Sequence, residues 1–238
     1  MTIRAAVKGV FFDAGDTLFE AAEPIGVYYS RVAGKYGVQV DADTLDQRFK
    51  TAFKAAPPLS FPGVAQKELE RLEYAWWRNI VQTVFDGIHF PQFEAYFEAL
   101  YRLFEEKDTW RCFPEVESVL RDLRRAGYIL GIISNFDSRL LSISAKLGLR
   151  TYFDTIVFSS GAGAAKPRPE IFEAALKKTG FKPEETLYVG DHPKHDVKGA
   201  RAAGMRAILL DRAGLYNGRG GIPVISDLRA LGQYLELK

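Results

Sequence analysis

The feature that most constrains the fold is a series of short apolar segments that alternate with segments of helical periodicity. After residue 107 the strand-like segments are YILGIIS at 128–134, TIVFSS at 155–160, TLYVG at 186–190 and RAILLD at 206–211. Apolar residues recur at helical spacing over 114–126 and 169–179. Strands that alternate with helices are joined by right-handed crossovers, so the pattern predicts a parallel sheet covered on both faces. AVKGVFFD at 6–13 is a further strand of this kind, distant in sequence from the others.

The segment from Glu20 to Lys107 separates that first strand from the rest and contains no convincing strand. Its apolar residues follow helical spacing in four stretches, at 24–37, 41–55, 67–85 and 91–106, which PPLSFPG and DGIHFP interrupt. A helical insertion at this point is best explained as a cap over the carboxyl edge of the sheet, where open sheets bind ligands. We therefore expect residues 1–19 and 108–238 to form a core and residues 20–107 to form a helical cap.

Polar side chains stand directly after the strands of the predicted sheet. Asp13 follows the first strand, Ser134 ends the second, Lys166 follows the third and Asp191 follows the fourth. Each residue alone has an ordinary explanation, because aspartate and serine often cap helices and a loop lysine is often solvated. Four such groups at one edge of a sheet are harder to dismiss, and they indicate a functional site there.

Composition excludes several classes of function. Hydrophobic residues make up 47% and charged residues 26% of the 238 residues, which is ordinary for a globular protein with a buried core. The net charge of +2 comes from interspersed charges, so we expect neither a nucleic-acid nor a membrane partner. Cys112 is the single cysteine and the N-terminus does not read as a signal peptide, so we expect a cytoplasmic protein. The sequence leaves the oligomeric state open.

Four motifs carry a resemblance to a known family. They are FFDAGDTL around Asp13, IISNFD around Ser134, KPRPEIF from Lys166, and GDHPKHDVKGA, which contains Asp191 and Asp196. With these motifs the chain resembles the haloacid dehalogenase superfamily of hydrolases, with the cap inserted after the first motif. It resembles in particular the subgroup of domain-containing-protein-three and rhythmically-expressed-gene-like members. The resemblance covers nearly all of the core and reaches the cap only in its position and helical character.

The resemblance implies a fold and a chemistry. The fold is α/β, a Rossmann-like three-layer core with a parallel sheet of order 3-2-1-4-5 plus an α-helical cap domain. The reaction is phosphoryl hydrolysis of a small phosphorylated substrate, in which Asp13 attacks phosphorus and the resulting aspartyl phosphate is hydrolysed by water. Lys166 neutralises charge on Asp13 and on the phosphoryl oxygens, and Ser134 donates a hydrogen bond to one of them.

The resemblance also implies a magnesium cofactor, which offsets the repulsion between a carboxylate and a phosphoryl group. Its expected ligands are Asp13, the backbone carbonyl of Gly15 and Asp191, with Asp196 at the metal site either binding through water or steadying the loop. Such an all-oxygen set suits a small hard cation. Substrate binding falls to Asn135 and Thr17.

Gly15 is a departure from the family pattern. Family phosphatases have Asp-x-Asp-x-Thr, in which the second aspartate protonates the leaving group, and Thr17 fixes the register so that Gly15 occupies that position. The usual general acid is therefore absent, which we expect to make turnover of alkyl phosphates poor. For Asp16, a role in bonding the backbone amides of the turn is favoured over a role as a displaced acid.

The missing acid leaves three alternatives open. A core without its proton donor could bind a phosphorylated ligand without useful turnover. Family dehalogenases also lack the second aspartate, although they do not carry the acidic motif of Asp191. Family phosphonatases use a cap lysine as a Schiff base, for which Lys50, Lys54 and Lys67 are available.

Overall fold

A computed structural model of the chain describes residues 7–216 and 221–235. Within these ranges six strands form a parallel sheet of order β5-β4-β1-β6-β7-β8, and β2 and β3 form an antiparallel pair. The strands are β1 Gly9–Phe12, β2 Phe19–Ala21, β3 Trp110–Cys112, β4 Ile129–Ser134, β5 Thr155–Phe158, β6 Thr186–Gly190, β7 Arg206–Leu210 and β8 Val224–Ile225. The predicted order of the five strands is confirmed, and the sequence analysis missed β8, which extends the sheet beyond β7.

Helices cover both faces of this sheet. Side chains of successive strand residues point to opposite faces, so each strand contributes to both apolar layers. Val10 and Phe12 face one apolar layer, which α5 and α6 complete, and Phe11 faces a second layer, which α8 and α9 complete. The helices of the core are α5 Val116–Arg125, α6 Arg139–Lys146, α7 Ser159–Ala162, α8 Pro169–Thr179 and α9 Gly199–Ala202, with a π-helical segment at Pro193–Lys198 before α9. The Rossmann-like three-layer α/β prediction is therefore confirmed.

The segment between β2 and β3 folds into four helices. They are α1 Ile25–Lys35, α2 Ala42–Ala55, α3 Gln66–Val84 and α4 Phe93–Leu103. These helices share an apolar cluster that is separate from the two layers of the sheet and rich in aromatic side chains, with Tyr29, Tyr96 and Phe97 almost completely buried. None of the described helices is both long and apolar enough to cross a membrane.

Two chain segments connect the helical insertion to the sheet, and they pair with each other. Phe19 lies opposite Cys112 and Ala21 opposite Trp110, so β2 and β3 form a short antiparallel ribbon. The sequence analysis expected no strand at either position. Three-residue strands show no clear alternation of apolar and polar residues, so their pairing depends on the partner strand.

One predicted strand is too long. Residues 155–160 were expected to form a strand throughout, but β5 ends at Phe158 and Ser159 begins the short helix α7. Ser159 and Ser160 are nevertheless buried, because their hydroxyls donate to the carbonyl of Phe136 and to Glu73. Burial in this loop therefore reflects contacts with other loops and not a continuing sheet.

Candidate active site

The carboxyl ends of three neighbouring strands bring the predicted site residues together. β1 lies between β4 and β6, with Gly9 opposite both Ile129 and Thr186. Asp13 therefore leaves β1 beside Ser134 at the end of β4 and beside Asp191, which follows β6. The backbone amide of Asp13 donates to the carbonyl of Val189 at 2.9 Å, so the hydrogen bonding of the sheet continues into the site.

Lys166 lies at the centre of the site and is almost completely buried. Its Nζ is 2.8 Å from Asp13 Oδ1 and 2.6 Å from Asp196 Oδ1. Burial by itself would lower the pKa of the Lys166 ammonium, but the two carboxylates outweigh it and the pKa is raised. Lys166 is therefore a fixed positive charge beside the proposed nucleophile.

Burial raises the pKa of Asp13, Lys166 opposes that effect, and the neighbouring charge of Asp196 adds to it. A hydrogen bond from the Ser134 hydroxyl also acts to lower the pKa of Asp13, so Ser134 lies within reach of the carboxylate. Ser134 is itself buried at the end of β4. Asp13, Lys166 and Ser134 therefore lie together in the folded chain, as the motifs implied.

Three carboxylates form the cluster that fits a metal ion. Asp13, Asp191 and Asp196 each offer an oxygen, and these oxygens lie within 4.8 Å of one another. Burial, followed by the charges of Asp13 and Asp196, raises the pKa of Asp191 to about 7. Carboxylates this close repel one another unless a cation or protons intervene. The all-oxygen donor set matches the preference of magnesium, so the residues present fit this ion.

Asp196 differs from the other two carboxylates because both of its oxygens already have donors. Oδ1 accepts from Lys166 Nζ, and Oδ2 accepts from the backbone amide of His192 at 2.8 Å. Its close packing requires a glycine at the end of β6, since a Cβ on Gly190 would lie 2.4 Å from Asp196 Cγ. Asp196 is therefore held rigidly, and its role at the metal site stays a prediction.

Gly15 lies in the turn between β1 and β2. Its backbone is outside the left-handed region, and a Cβ built on it would meet no atom within 4 Å. The turn therefore does not require glycine for steric or conformational reasons. The position has room for the side chain that family phosphatases carry there.

Asp16 does not fill the role that the sequence analysis favoured for it. Its backbone adopts φ 56°, in the left-handed region, and its amide donates to the carbonyl of Phe19. Its exposed carboxylate accepts no hydrogen bond within the described ranges, so the side chain does not bond the backbone amides of the turn. Asp16 shapes the turn through its backbone, since aspartate tolerates left-handed φ better than most residues.

The two residues predicted to bind substrate make contacts within the site. The hydroxyl of buried Thr17 donates to Asp191 Oδ1 at 3.4 Å. The Asn135 amide accepts from the backbone N–H of Lys166 at 2.7 Å and donates to its carbonyl at 3.0 Å. These contacts fix Asp191 and the lysine loop, and the predicted substrate contacts of Thr17 and Asn135 stay predictions.

Sequence reasoning missed several residues that hold the site together. His195 Nδ1 is 3.0 Å from the carbonyl of Lys166, and Tyr188 Oη is 3.0 Å from its Nζ. Arg212 donates to the carbonyl of Thr17 at 2.8 Å and forms an ion pair with Glu115 at 2.7 Å. The tyrosine inside the strand TLYVG was the one sequence feature that could have revealed such a residue, because a hydroxyl buried in a sheet needs a hydrogen-bond partner.

Contacts between the helical insertion and the core converge on the loop after β4. Glu73 of α3 is fully buried and accepts from the backbone amide of Ser138 at 3.0 Å, from the Ser138 hydroxyl, and from the Ser160 hydroxyl at 2.5 Å. Trp77, one turn further along α3, donates its indole N–H to Asp137 at 2.5 Å. Asp137 and Ser138 lie within a few residues of Ser134 and Asn135, whereas Ser160 belongs to α7 after β5.

PPLSFPG could not be positioned from the sequence, and the structure brings it to the lysine loop. A Cβ on Gly163 would lie 3.1 Å from Pro62 Cα, so the stretch packs against the segment that leads to Lys166. Gly163 has φ 68°, in the left-handed region that favours glycine. The insertion therefore contacts the core at two loops of the site edge.

A comparison with protein families shows which family this chain belongs to. The model of the hydrolase family described as haloacid dehalogenase-like hydrolase matches residues 7–204. The chain belongs to the haloacid dehalogenase-like hydrolase family. The match spans the motifs of Asp13, Ser134, Lys166 and Asp191 together with the helical insertion.

Relatives within the haloacid dehalogenase-like hydrolase family confirm the subgroup. The chain is 37% identical to haloacid dehalogenase-like hydrolase domain-containing protein 3 of Bos taurus, over 88% of this chain and 84% of that protein. It is 28% identical to the rhythmically expressed gene 2 protein of Drosophila melanogaster, over 84% of this chain and 82% of that protein.

Solved structures of the same fold include a 2-haloacid dehalogenase from Pseudomonas syringae, with a TM-score of 0.68 and 25% identity over 96% of this chain and 97% of that one. A magnesium-bound HAD-hydrolase, YfnB, from Bacillus subtilis has a TM-score of 0.73 at 19% identity over 94% of this chain and 96% of that one, which shows a shared fold. A shared fold does not determine the reaction, so the reaction of this chain depends on its own site residues.

Proposed function

We propose that the chain is a magnesium-dependent phosphoryl hydrolase that acts on a small phosphorylated molecule through an aspartyl phosphate on Asp13. The observation that carries the proposal is the buried Lys166 ammonium 2.8 Å from Asp13 Oδ1, beside a cluster of three carboxylates. A cationic side chain and a cation site on either side of one carboxylate suit attack on an anionic phosphoryl group. The interspersed surface charge supports a small substrate over a nucleic acid or a membrane.

Each residue of the site has a separate role in the proposed hydrolysis. One oxygen of Asp13 bonds to phosphorus as the bond from phosphorus to the leaving oxygen breaks, and water then attacks phosphorus to release phosphate and restore the carboxylate. The positive charge of Lys166 and a hydrogen bond from Ser134 stabilise the phosphoryl oxygens as negative charge develops on them. Asp13, Asp191 and the Gly15 carbonyl would hold magnesium, with Asp196 beside them, and the ion would supply further positive charge there.

Gly15 determines which leaving groups the site can expel. General acid assistance typically accelerates a reaction by about 10²–10⁴-fold, and Gly15 offers no proton. Phenolate and carboxylate leaving groups need that proton less than alkoxides do. We therefore propose that aryl and acyl phosphates are better substrates than alkyl phosphates.

The test is hydrolysis of p-nitrophenyl phosphate with magnesium, with a chelator, and with Asp13→Asn. We expect turnover that requires the metal and is lost in the Asn variant, because an amide cannot act as the nucleophile. Activity that persists in a clean Asp13→Asn preparation would assign the nucleophile elsewhere. A lack of hydrolysis of any aryl phosphate in the presence of magnesium would contradict the proposal.

A second candidate is phospho-ligand binding without turnover, which the bare position at Gly15 favours. In that case magnesium with beryllofluoride, a phosphoryl analogue, would raise the melting temperature while a broad panel of phosphate esters stayed intact. The phosphonatase alternative has less support, because Schiff-base lysines are usually desolvated whereas Lys50, Lys54 and Lys67 are all exposed. Dehalogenation would instead release halide from 2-haloacids regardless of chelator.

A further inference from the structure

The hydroxyl of Tyr188 is a buried group that the proposed mechanism does not yet use. Tyr188 lies in β6, has no exposed surface, and directs its hydroxyl to the point where Lys166, Asp196 and β4 meet. Its Oη is 3.0 Å from Lys166 Nζ, 2.7 Å from the carbonyl of Ile133 and 3.1 Å from Asp196 Oδ1. The hydroxyl therefore links strands β6 and β4 to the lysine of the site.

The hydrogen bonds of Lys166 can be counted completely. An ammonium group has three N–H donors, and three acceptors surround it: Asp13 Oδ1, Asp196 Oδ1 and Tyr188 Oη. Burial and the nearby carboxylates raise the pKa of the Tyr188 phenol far above its ordinary value, so the hydroxyl keeps its proton. That proton goes to Ile133 or Asp196, which leaves a lone pair of Oη for the lysine.

The three acceptors do not behave alike during the reaction. When Asp13 becomes an acyl phosphate, the negative charge on its side moves from the carboxylate to the phosphoryl oxygens, whereas Asp196 remains charged and lies 2.6 Å from Nζ. The two anionic groups on either side of the ammonium therefore change in position and strength each time the phosphoryl group arrives or leaves, and they do not by themselves fix where Nζ lies. Tyr188 is neutral and its position is fixed by the sheet, so its hold on the lysine does not change.

We propose that Tyr188 is a positioning residue that holds the Lys166 ammonium in place beside Asp13 while negative charge moves from the carboxylate to the phosphoryl group. This inference rests on the proposed function, since it assigns a task to the same lysine. It extends that function, because the partnership of Lys166 with two carboxylates does not by itself determine where the ammonium points in the intermediate.

Tyr188→Phe tests the hydroxyl alone, since the edge-on contact of the ring with Phe172, at 5.2 Å between centroids, is retained. Tyr28→Phe is the matched control. It removes another buried tyrosine hydroxyl, one that donates to the carbonyl of Thr109 at 3.3 Å. We expect Tyr188→Phe to lower kcat for p-nitrophenyl phosphate about tenfold, with KM and the half-saturating magnesium concentration within twofold of wild type, and Tyr28→Phe to leave all three unchanged.

A second readout does not depend on turnover. Magnesium with beryllofluoride imitates the phosphorylated Asp13, and the increase in melting temperature that it causes should be smaller in Tyr188→Phe than in wild type or Tyr28→Phe. If wild type hydrolyses no phosphate ester, the proposed function fails, and this comparison still tests Tyr188. Equal kcat and equal stabilisation in Tyr188→Phe and Tyr28→Phe would overturn the inference.

A graded variant covers the case in which Tyr188→Phe does not fold. Site-specific 3-fluorotyrosine at position 188 keeps the hydroxyl and the ring but makes the oxygen a weaker hydrogen-bond acceptor. We expect a kcat below that of wild type with an unchanged melting temperature. A kcat equal to that of wild type would contradict the positioning role.

Discussion

At the scale of single residues, the candidate site has its charged groups in place but has no side chain at position 15 that could donate a proton. Lys166 is paired on two sides by carboxylates, and Asp191 is a third carboxylate whose pKa is raised to about 7. Gly15 lies beside them without a side chain, in a turn that has room for one. Under the proposed function, turnover would therefore be limited by the supply of a proton and not by charge.

The substitution Gly15→Asp should restore that supply. Its Cβ enters open space and its backbone needs no left-handed conformation, so we expect a folded protein. The rate of alkyl phosphate hydrolysis should rise by about 10²-fold or more, as general acid assistance typically allows. Steady-state kcat/KM with an alkyl phosphate and magnesium is the measurement. Gly15→Asn is the matched control, since it has the same shape without an acid, and an equal gain in both variants would exclude acid catalysis as the cause.

The raised pKa of Asp191 predicts a pH dependence of stability. Between pH 4 and pH 7 the folded protein holds a proton at this carboxyl that the unfolded chain has lost, so stability without metal should fall as pH rises through this window. Asp191→Asn should flatten this slope, whereas Asp122→Asn on the exposed face of α5 should not.

Magnesium should stabilise more at pH 8 than at pH 6, because protons compete with it for the same oxygens. Melting temperatures across this range, with and without the metal, test both statements. A slope in Asp191→Asn as steep as in wild type would assign the titration to another group.

At the scale of elements, α3 connects the helical insertion to the loops of the candidate site. Glu73 and Trp77 lie one turn apart on this helix and bond to residues 137, 138 and 160 of the core. Arg139 extends the contact, since its guanidinium pairs with Asp137 and lies 4.0 Å from the ring centroid of Tyr101. The loop that carries Ser134 and Asn135 is therefore held from both the sheet and the insertion.

Removal of the Glu73 carboxylate should be costly. Glu73→Ala leaves the Ser138 amide without its acceptor and the buried Ser160 hydroxyl with only the carbonyl of Phe136 at 3.5 Å, and an unsatisfied buried donor typically costs about 1–3 kcal/mol of unfolding free energy. Glu68→Ala on the same helix breaks only an exposed pair with Arg71 and should cost less than about 1 kcal/mol. Chemical denaturation of the two variants makes the comparison. Equal losses would mean that the Glu73 contacts contribute no more than a surface ion pair.

At the scale of the whole molecule, the chain consists of a layered sheet and an aromatic helical cluster joined by a narrow ribbon. The apolar cluster of α1 to α4 is separate from the two layers of the sheet. The chain enters and leaves the insertion at neighbouring points, because the amide of Ala22 donates to the carbonyl of Thr109 at 2.9 Å. This geometry supports the division of the chain into a core of 1–19 and 108–238 and a cap of 20–107, which stays a prediction.

The ribbon suggests a direct test of that division. Replacing residues 22–109 by Asn-Gly would close β2 and β3 into a two-residue hairpin, for which this dipeptide is well suited. We expect the shortened chain to unfold cooperatively and to be stabilised by magnesium with beryllofluoride, with Asp13→Asn in the same background abolishing the ligand effect. A shortened chain with no cooperative transition would show that the two parts fold as one unit.

The sequence by itself determined the main strands of the sheet, the position of the insertion and the four loops of the site, whereas the sheet order followed from the family resemblance. Periodicity and the residue that follows each strand are local properties, and they require no knowledge of which loops touch. The ribbon of β2 and β3 and the edge strand β8 were not predictable in this way, because strands of two or three residues are specified by their partners.

Only the tertiary structure determined which polar groups form hydrogen bonds with one another. Lys166, Asp196 and Tyr188 come from separate parts of the chain, and nothing in the spacing of KPRPEIF or TLYVG says that their side chains meet. Nothing in the helical stretch 67–85 distinguishes Glu73 before its serine partners are known, and the exposed carboxylate of Asp16 could not be foreseen from its place in a turn. Sequence patterns report the solvent exposure of a segment, whereas hydrogen-bond partners depend on distances that exist only once the chain has folded.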